Sequence, residues 1–254
     1  MPVIRCTVSL MMVITISLCT LPALAAAPAY PTKPIRLLVP FPPGGGTLVL
    51  ARALVEHLSV ALGQNVVIDT RPGGNTVIAS EIAARAQPDG HTLLVQINNL
   101  TALPALSPGK RTISVSDFAP VTLVGILPHI LAVHRSFPAA SVKELIALAK
   151  KTPKKYTFAS AGIGTPVHLG GALFASMAEV ELVHVPYTGA AGYTTALLGA
   201  HVDMTFGSVT ALLAHVKSGA VRPLAATTAA RINVLPDLPT LAESGLTGYN
   251  IASW

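Results

Sequence analysis

Apolar positions along this chain fall into short runs separated by longer stretches of helical period. The run Ile35-Arg36-Leu37-Leu38-Val39 reads as a strand and enters the loop Pro40-Phe41-Pro42-Pro43-Gly44-Gly45-Gly46. Thr47 then caps a helix that runs to Leu62 and stops at Gly63. Residues 66–68 predict a strand, 71–75 a loop, 76–86 a helix and 92–97 a strand. Apolar strands are expected at 118–124 and 130–133, on either side of Pro128. Ser141 caps a helix ending at Lys151, a strand follows at 156–159, and after the loop 160–165 Pro166 takes the first position of another helix. A strand at 182–185, a helix at 189–198, a strand at 224–227 and a strand-like end at 249–254 complete the pattern.

Strands alternating with helices define an α/β fold with parallel-rich sheets flanked by helices. In such sheets ligands sit beyond the carboxyl ends of the strands. No repeat of fixed period is present. The final strand-like stretch ends at Trp254 without a turn or cap, and it reads as an interrupted domain.

Composition changes this picture mainly at the start of the chain. Of 254 residues 51% are apolar and 11% charged, too hydrophobic for a disordered chain. Arg5 precedes an apolar stretch at 8–21 and the small-residue pattern Ala23-Leu24-Ala25, which together read as a secretory signal peptide over residues 1–25. The apolar run is short for a membrane span, which needs about 20 residues. Leu18 is bulky for a lipidation signal at Cys19. Cleavage after Ala25 suits the sequence better than cleavage after Ala27, which Pro28 follows.

The formal charge is +6, and loss of Arg5 leaves 16 basic against 11 acidic residues. Both cysteines, Cys6 and Cys19, fall in the same segment. The exported chain would then hold no disulfide, thiolate nucleophile or cysteine-ligated zinc.

Three loops precede helices and are rich in glycine and small hydroxyl residues: 41–47, 160–165 and 186–192. Each presents backbone N–H groups at a helix N-terminus, where the helix dipole favours an anion. Taken singly, such a turn only connects a strand to a helix. The first is no nucleotide loop, because Thr47-Leu48 stands where a phosphate loop needs Lys-Ser/Thr. No G-x-S-x-G elbow surrounds Ser160 or Ser208, and no H-E-x-x-H pair occurs. His129 and His134 straddle a strand and read as packing or surface residues. The lysines at 150–155 close a helix C-terminus. A nucleic-acid site would want a wider basic face with stacking aromatics.

Several motifs together resemble one family. They are Pro40-Phe41-Pro42-Pro43-Gly44-Gly45-Gly46-Thr47 with Ala51-Arg52, Arg71-Pro72-Gly73, and Gln87-Pro88-Asp89-Gly90-His91-Thr92. Then come Asp117-Phe118-Ala119-Pro120-Val121, Ser160-Ala161-Gly162-Ile163-Gly164-Thr165 with His168, and His184-Val185-Pro186-Tyr187. Val202-Asp203 and Leu235-Pro236-Asp237-Leu238-Pro239-Thr240 with Glu243 follow. In this order they are similar to the substrate-binding proteins of tripartite tricarboxylate transporters, also called Bug-type receptors.

The resemblance implies a two-domain periplasmic-binding-protein clamshell, type II-like. Domain one would cover 26–124, domain two 125–233, and 234–254 would return into domain one, which the family continues further. It implies a monomeric periplasmic receptor that captures a small organic acid for membrane transporter subunits. Catalytic residues, metal, cofactor and nucleic acid have no part in it. The ligand-binding residues it implies are Phe41, Gly45, Gly46 and Thr47 from one side, and Ser160, Ala161, Gly164, Thr165 and Tyr187 from the other. Leu48 and Thr188 depart from the family's usual Asp and Lys, and Asn75-Thr76 from its usual Gly-Gly. A non-functional receptor fragment, and an enzyme using the same cleft, stand as alternatives.

Overall fold

A computed structural model describes residues 29–106 and 113–254. The expected signal peptide, with both cysteines, lies outside the described residues.

β1 (Ile35–Val39) is apolar at every position but Arg36 because both of its neighbours are parallel and both faces are covered. It lies between β2 (Val66–Thr70) and β3 (Thr92–Leu94) in a three-stranded sheet, with Ile35 opposite Val66 and Leu37 opposite Leu93. Parallel neighbours need crossovers. These are α1 (Gly46–Leu62) and α2 (Val77–Ala84), and α3 (Asn99–Leu106) follows β3. Gly63 ends α1 in the left-handed conformation, φ 61°, as its position after the last apolar turn predicts.

The start of α1 differs from expectation. Gly45, extended at φ −99°, is the cap, and its carbonyl accepts the Leu48 and Val49 N–H groups. The helix therefore begins before Thr47, whose hydroxyl caps nothing. The core of this sheet is small: Ile35, Leu37, Val39, Leu48, Ala51, Val66 and Val95.

The second sheet has the order β6-β5-β7-β4-β8. β4 (Leu127–His134) runs antiparallel to β7 (Met204–Ser208) and β8 (Val221–Ala226), while β5 (Thr157–Ser160) runs parallel to β6 (Val183–Pro186) and β7. α4 (Val142–Lys151), α5 (Pro166–Ala178), α6 (Gly189–Leu198) and α7 (Val209–Lys217) cover it. Ser141 caps α4 by accepting the Glu144 N–H, and Thr165 caps α5 by accepting from His168, with Pro166 at N1. A large core surrounds Leu131, Phe158, Phe174, Met204 and Phe206.

Residues 234–249, expected in domain one, place Leu235, Leu238, Leu241, Leu246 and Tyr249 against this second core. The Tyr249 hydroxyl donates to the Gly170 carbonyl at 2.7 Å. β9 (Ala252–Ser253) then pairs with Leu127 and Pro128 at the start of β4. Asn98, just past the first sheet, donates to the Ala252 carbonyl.

Three elements, α3, β7 and α7, escape the sequence pattern and one expected strand does not form. β7 is MTFGS, mixing a glycine and two hydroxyls into a fully buried strand, and it passes into α7 with no turn residue between. Burial of Thr205 is tolerated because its hydroxyl donates to the Ala159 carbonyl. The strand expected at 118–124 is irregular backbone after a short 3-10 turn at Val115–Asp117. Val121 and Leu123 stand 83% and 59% exposed there, outside both sheets. Among the described residues no helix is long and apolar enough to cross a membrane.

Candidate functional site

The carboxyl ends of β1, β5 and β7 lead directly into α1, α5 and α7, and α6 starts beside them. A cavity of about 50 Å3 lies where these helices begin. Phe41, Gly45, Gly46 and Thr47 line it from the first loop, and Ala161, Thr165, Pro166 and Val167 from the loop after β5. Ala190 and Tyr193 of α6, Ser208 ahead of α7, Ile97, Leu127, His129 and Ser253 complete the wall. This space is on the scale of a few water molecules. A larger depression, about 470 Å3, lies between the start of α4 and residues 234–239, but none of the glycine-rich loops borders it.

The first and third loops are in direct contact. A Cβ at Gly189, φ 73°, would lie 2.8 Å from Pro42, and one at Gly45 would lie 3.6 Å from the Ala190 methyl. A Cβ at Gly46 would strike the Thr210 hydroxyl. Glycine here permits two backbones to meet across the cleft.

The electrostatics are those of a wall without charged side chains. His129 is buried; its Nδ1–H donates to the Phe206 carbonyl at 3.0 Å and its Nε2 accepts from Ser253 at 2.8 Å. Loss of solvent holds its pKa down at about 4, so the ring is neutral at neutral pH. Burial also pushes the Tyr193 hydroxyl up; that hydroxyl accepts the Ser208 N–H at 3.1 Å and lies 3.3 Å from the Ser208 Oγ. Thr165 donates to the Gly162 carbonyl at 2.7 Å. Against this satisfied frame, the N–H groups of Gly46 and Thr47 have no hydrogen-bond partner among the described residues. They open the first turn of α1, where a partial positive charge gathers.

Six of the nine residues singled out in the sequence meet at this cavity: Phe41, Gly45, Gly46, Thr47, Ala161 and Thr165. Ser160, Gly164 and Tyr187 stand behind it. Ser160 is fully buried; its Oγ accepts the Gly162 N–H and lies 2.7 Å from His184 Nε2. The His184 ring stacks on Phe158 and contacts His168, and burial with the neighbouring His168 lowers its pKa to about 4. The Gly164 N–H donates to His168 Nδ1 at 3.1 Å. The Tyr187 N–H donates to the Ser160 carbonyl, and its ring packs on Gly192.

The Ser160–His184 pair has the spacing of a nucleophile and base, which the sequence did not show. Yet Ser160 has no exposure, and its hydroxyl serves its own loop. Leu48 is turned into the first core rather than toward the cavity, and Thr188 is exposed.

His129, Tyr193, Ser208 and Ser253 were not foreseen as site residues. Tyr193 follows the third loop within the same helix, a signal that was available. His129 and Ser253 converge from 124 positions apart, which only the β4–β9 pairing arranges. The second loop of the first sheet also reaches toward the cleft. Asn75 and Thr76 take positive φ, 53° and 75°, and the Asn75 side chain approaches Gly162 and Gly164. Thr76 is held there by Gln96 and Asn99, which donate to its hydroxyl.

Two sheets with loops facing each other over a small uncharged cavity define a two-domain α/β binding protein, a clamshell of the periplasmic type. Residues 50–254 match the family described as the tripartite tricarboxylate transporter family receptor, and the chain belongs to that family. A protein from the tcbD-tcbE intergenic region of Pseudomonas sp. (strain P51) is 39% identical over 227 residues, covering 89% of this chain and 68% of the relative. The solved structure of R. palustris Rpa4515 with adipate is 35% identical with a TM-score of 0.81, covering 89% of this chain and 76% of that one. That of the periplasmic binding protein BugD is 33% identical with a TM-score of 0.76, covering 89% and 75%.

Proposed function

We propose that this chain is a periplasmic receptor that closes on the carboxylate of a small organic acid and presents it to the membrane subunits of a tripartite tricarboxylate transporter. The observation that carries this reading is the pair of unpartnered N–H groups of Gly46 and Thr47, at a helix N-terminus that faces an uncharged cavity. A carboxylate there accepts two charge-assisted hydrogen bonds without a buried arginine to desolvate. Membership of the receptor family and the adipate in one relative support the same reading. Parting of the two loop sets admits the solute, and reclosure excludes water, a hinge motion of the kind such folds use.

Ser160–His184 does not favour an enzyme. A base whose proton affinity is depressed to about 4, beside a hydroxyl with no access to the cavity, has little to activate and nothing to attack.

The test is calorimetric titration of the purified protein with adipate and malate, repeated on Gly46→Ala. Alanine suits a helix N-terminus, but its methyl would collide with Thr210 and hold the loops apart. Binding to the unmodified chain, weakened at least tenfold in a variant that melts normally, supports the reading. Equal affinity in both would remove the cavity from it.

A further inference from the structure

We infer that His168 is a positioning residue for this site: its neutral ring pins the loop at 160–165 in the shape that faces the cavity, and a proton on its Nδ1 frees the loop, so that the bound acid is released as the pH falls. The inference rests on the carboxylate reading above and adds a mode of release to it.

The loop after β5 brings Ala161 and Thr165 to the cavity wall. Between them the chain turns through Gly162 and Gly164, both at positive φ, 132° and 78°. Two such glycines let the segment take many shapes once it is unpinned. Its start is tied by the Gly162 N–H, which donates to Ser160 Oγ, and by the Ala161 carbonyl, which accepts the Gly189 N–H. Its middle is held by the Gly164 N–H, which donates at 3.1 Å to Nδ1 of His168 in the first turn of α5. Gly164 is buried, so this N–H left without an acceptor carries the penalty of an unpaired buried donor.

A backbone N–H can only donate. Nδ1 of His168 therefore holds a lone pair, which fixes the ring as the neutral tautomer with its proton on Nε2. In the imidazolium both nitrogens donate, and Gly164 loses its acceptor. His184 escapes this constraint. Its Nε2 meets Ser160 Oγ at 2.7 Å, a hydroxyl able to donate or accept, which can also turn its proton to the Gly162 carbonyl at 3.2 Å. His168 is half-buried, so a proton reaches it in the folded chain, whereas His129 is sealed in the core of the second sheet.

Few groups face the His168 ring. β6 presents His184, with ring centroids 4.2 Å apart, and β5 presents Phe158, stacked at 6.3 Å. From the first sheet the neutral Asn75 side chain reaches Gly164. No Asp, Glu, Lys or Arg among the described residues acts on either ring: burial lowers the His168 pKa, and burial followed by the neighbouring His168 lowers that of His184. The first turn of α5 adds a dipole that disfavours a cation. Two rings so close take up one proton between them far more readily than two. The ring is thus neutral, and the loop pinned, at neutral pH; acid reverses both.

Calorimetric titration with adipate and malate between pH 7 and 4.5 tests this on the purified protein, on His168→Asn and on His168→Leu, each first shown to melt normally. Asparagine sets its Oδ1 where Nδ1 stands, an acceptor that takes up no proton in this range, and leucine offers no acceptor. His168→Leu should weaken binding at pH 7 by about fivefold or more, and His168→Asn should recover most of that loss. On acidification the unmodified protein should lose about fivefold more affinity than His168→Asn, since ionisation of the acid itself is common to both. Equal pH slopes would overturn the inference and leave the carboxylate reading standing. So would affinity that rises on acidification, which would mean that the imidazolium draws the anion instead of freeing the loop. Without ligand, heteronuclear NMR should show Nδ1 unprotonated at pH 7 and the Gly164 amide resonance moving with the His168 titration; a ring that titrates while that amide stands still would also overturn it. No binding of either acid by any of the three proteins would overturn both readings.

Discussion

The two sheets bring different things to the same cavity. The first, three parallel strands with a small core, contributes mostly backbone: the glycines at 45 and 46 and the unpartnered N–H groups of α1. It also leaves apolar side chains in water, Val49, Val60 and Val67 among them. The second sheet, mixed in direction and thick in core, contributes a frame of polar side chains that satisfy one another: His129 with Ser253, Tyr193 with Ser208, Ser160 with His184. One side can afford bare amides because the other is rigid and uncharged. The proposed carboxylate site is then a property of the pair, and neither sheet holds it alone.

The largest effect should come from the thick core. Phe206 is fully buried and its ring meets Phe158 and Phe174. Phe206→Ala should cost about 4 kcal/mol in urea unfolding. Leu37→Ala, in the thin core, should cost about 3 kcal/mol, with loss of amide-exchange protection concentrated in β1, β2 and β3. If Leu37→Ala exposes β4 and β7 equally, the two cores unfold as one unit and the contrast between them fails.

Acid should act on the second sheet. His129 is held at about 4 in the folded chain against an ordinary 6.5. Between those values the unfolded chain binds the proton and the folded chain does not. Stability is therefore full above pH 6.5 and declines as pH falls toward 4, by up to about 3 kcal/mol. His184 pulls in the same direction. Melting temperatures between pH 7 and 4 measure this, and His129→Asn should flatten the slope. An unchanged slope in that variant would place the acid sensitivity elsewhere.

Smaller effects separate frame from surface. Ser160→Ala removes the hydroxyl shared by His184 and the Gly162 N–H, and should cost about 1–2 kcal/mol while loosening the loop that carries Ala161 and Thr165. Amide exchange at Gly162 is the readout, and unaltered protection there would deny Ser160 its role. Asp69→Asn, which weakens the partly exposed pairing with Arg36 and Arg71 on the first sheet, should change stability by less than about 1 kcal/mol. A larger loss would mean that the thin sheet leans on its charges more than its core implies.

Much of the architecture was legible because local chemistry and tertiary demand agree. β1 is apolar at four of five positions because it is buried on both faces, and its limits are those its pattern predicts. Ser141 caps where its hydroxyl can accept, Pro166 opens α5 at its first position, and α6 spans the expected residues. The glycine-rich loops are recognisable because only small residues let two backbones approach. Less was legible where burial is satisfied by distant partners. β7 hides its strand character behind Thr205 and Gly207, whose needs are met by β5 and by the Tyr193 ring. The apolar residues at 118–124 look like a strand but join neither sheet.

The sequence by itself determined the alternation of strands and helices, the loops that begin the site and the likeness to a receptor family, since each depends on residues close together in the chain. The tertiary structure alone decided which of those residues share a wall. Packing of β4 against β7 and β9 carries His129, Ser208 and Ser253 to one point, and packing of the first core turns Leu48 away from it. A cavity is defined by the surfaces left over when distant elements close-pack, and no local pattern encodes that remainder.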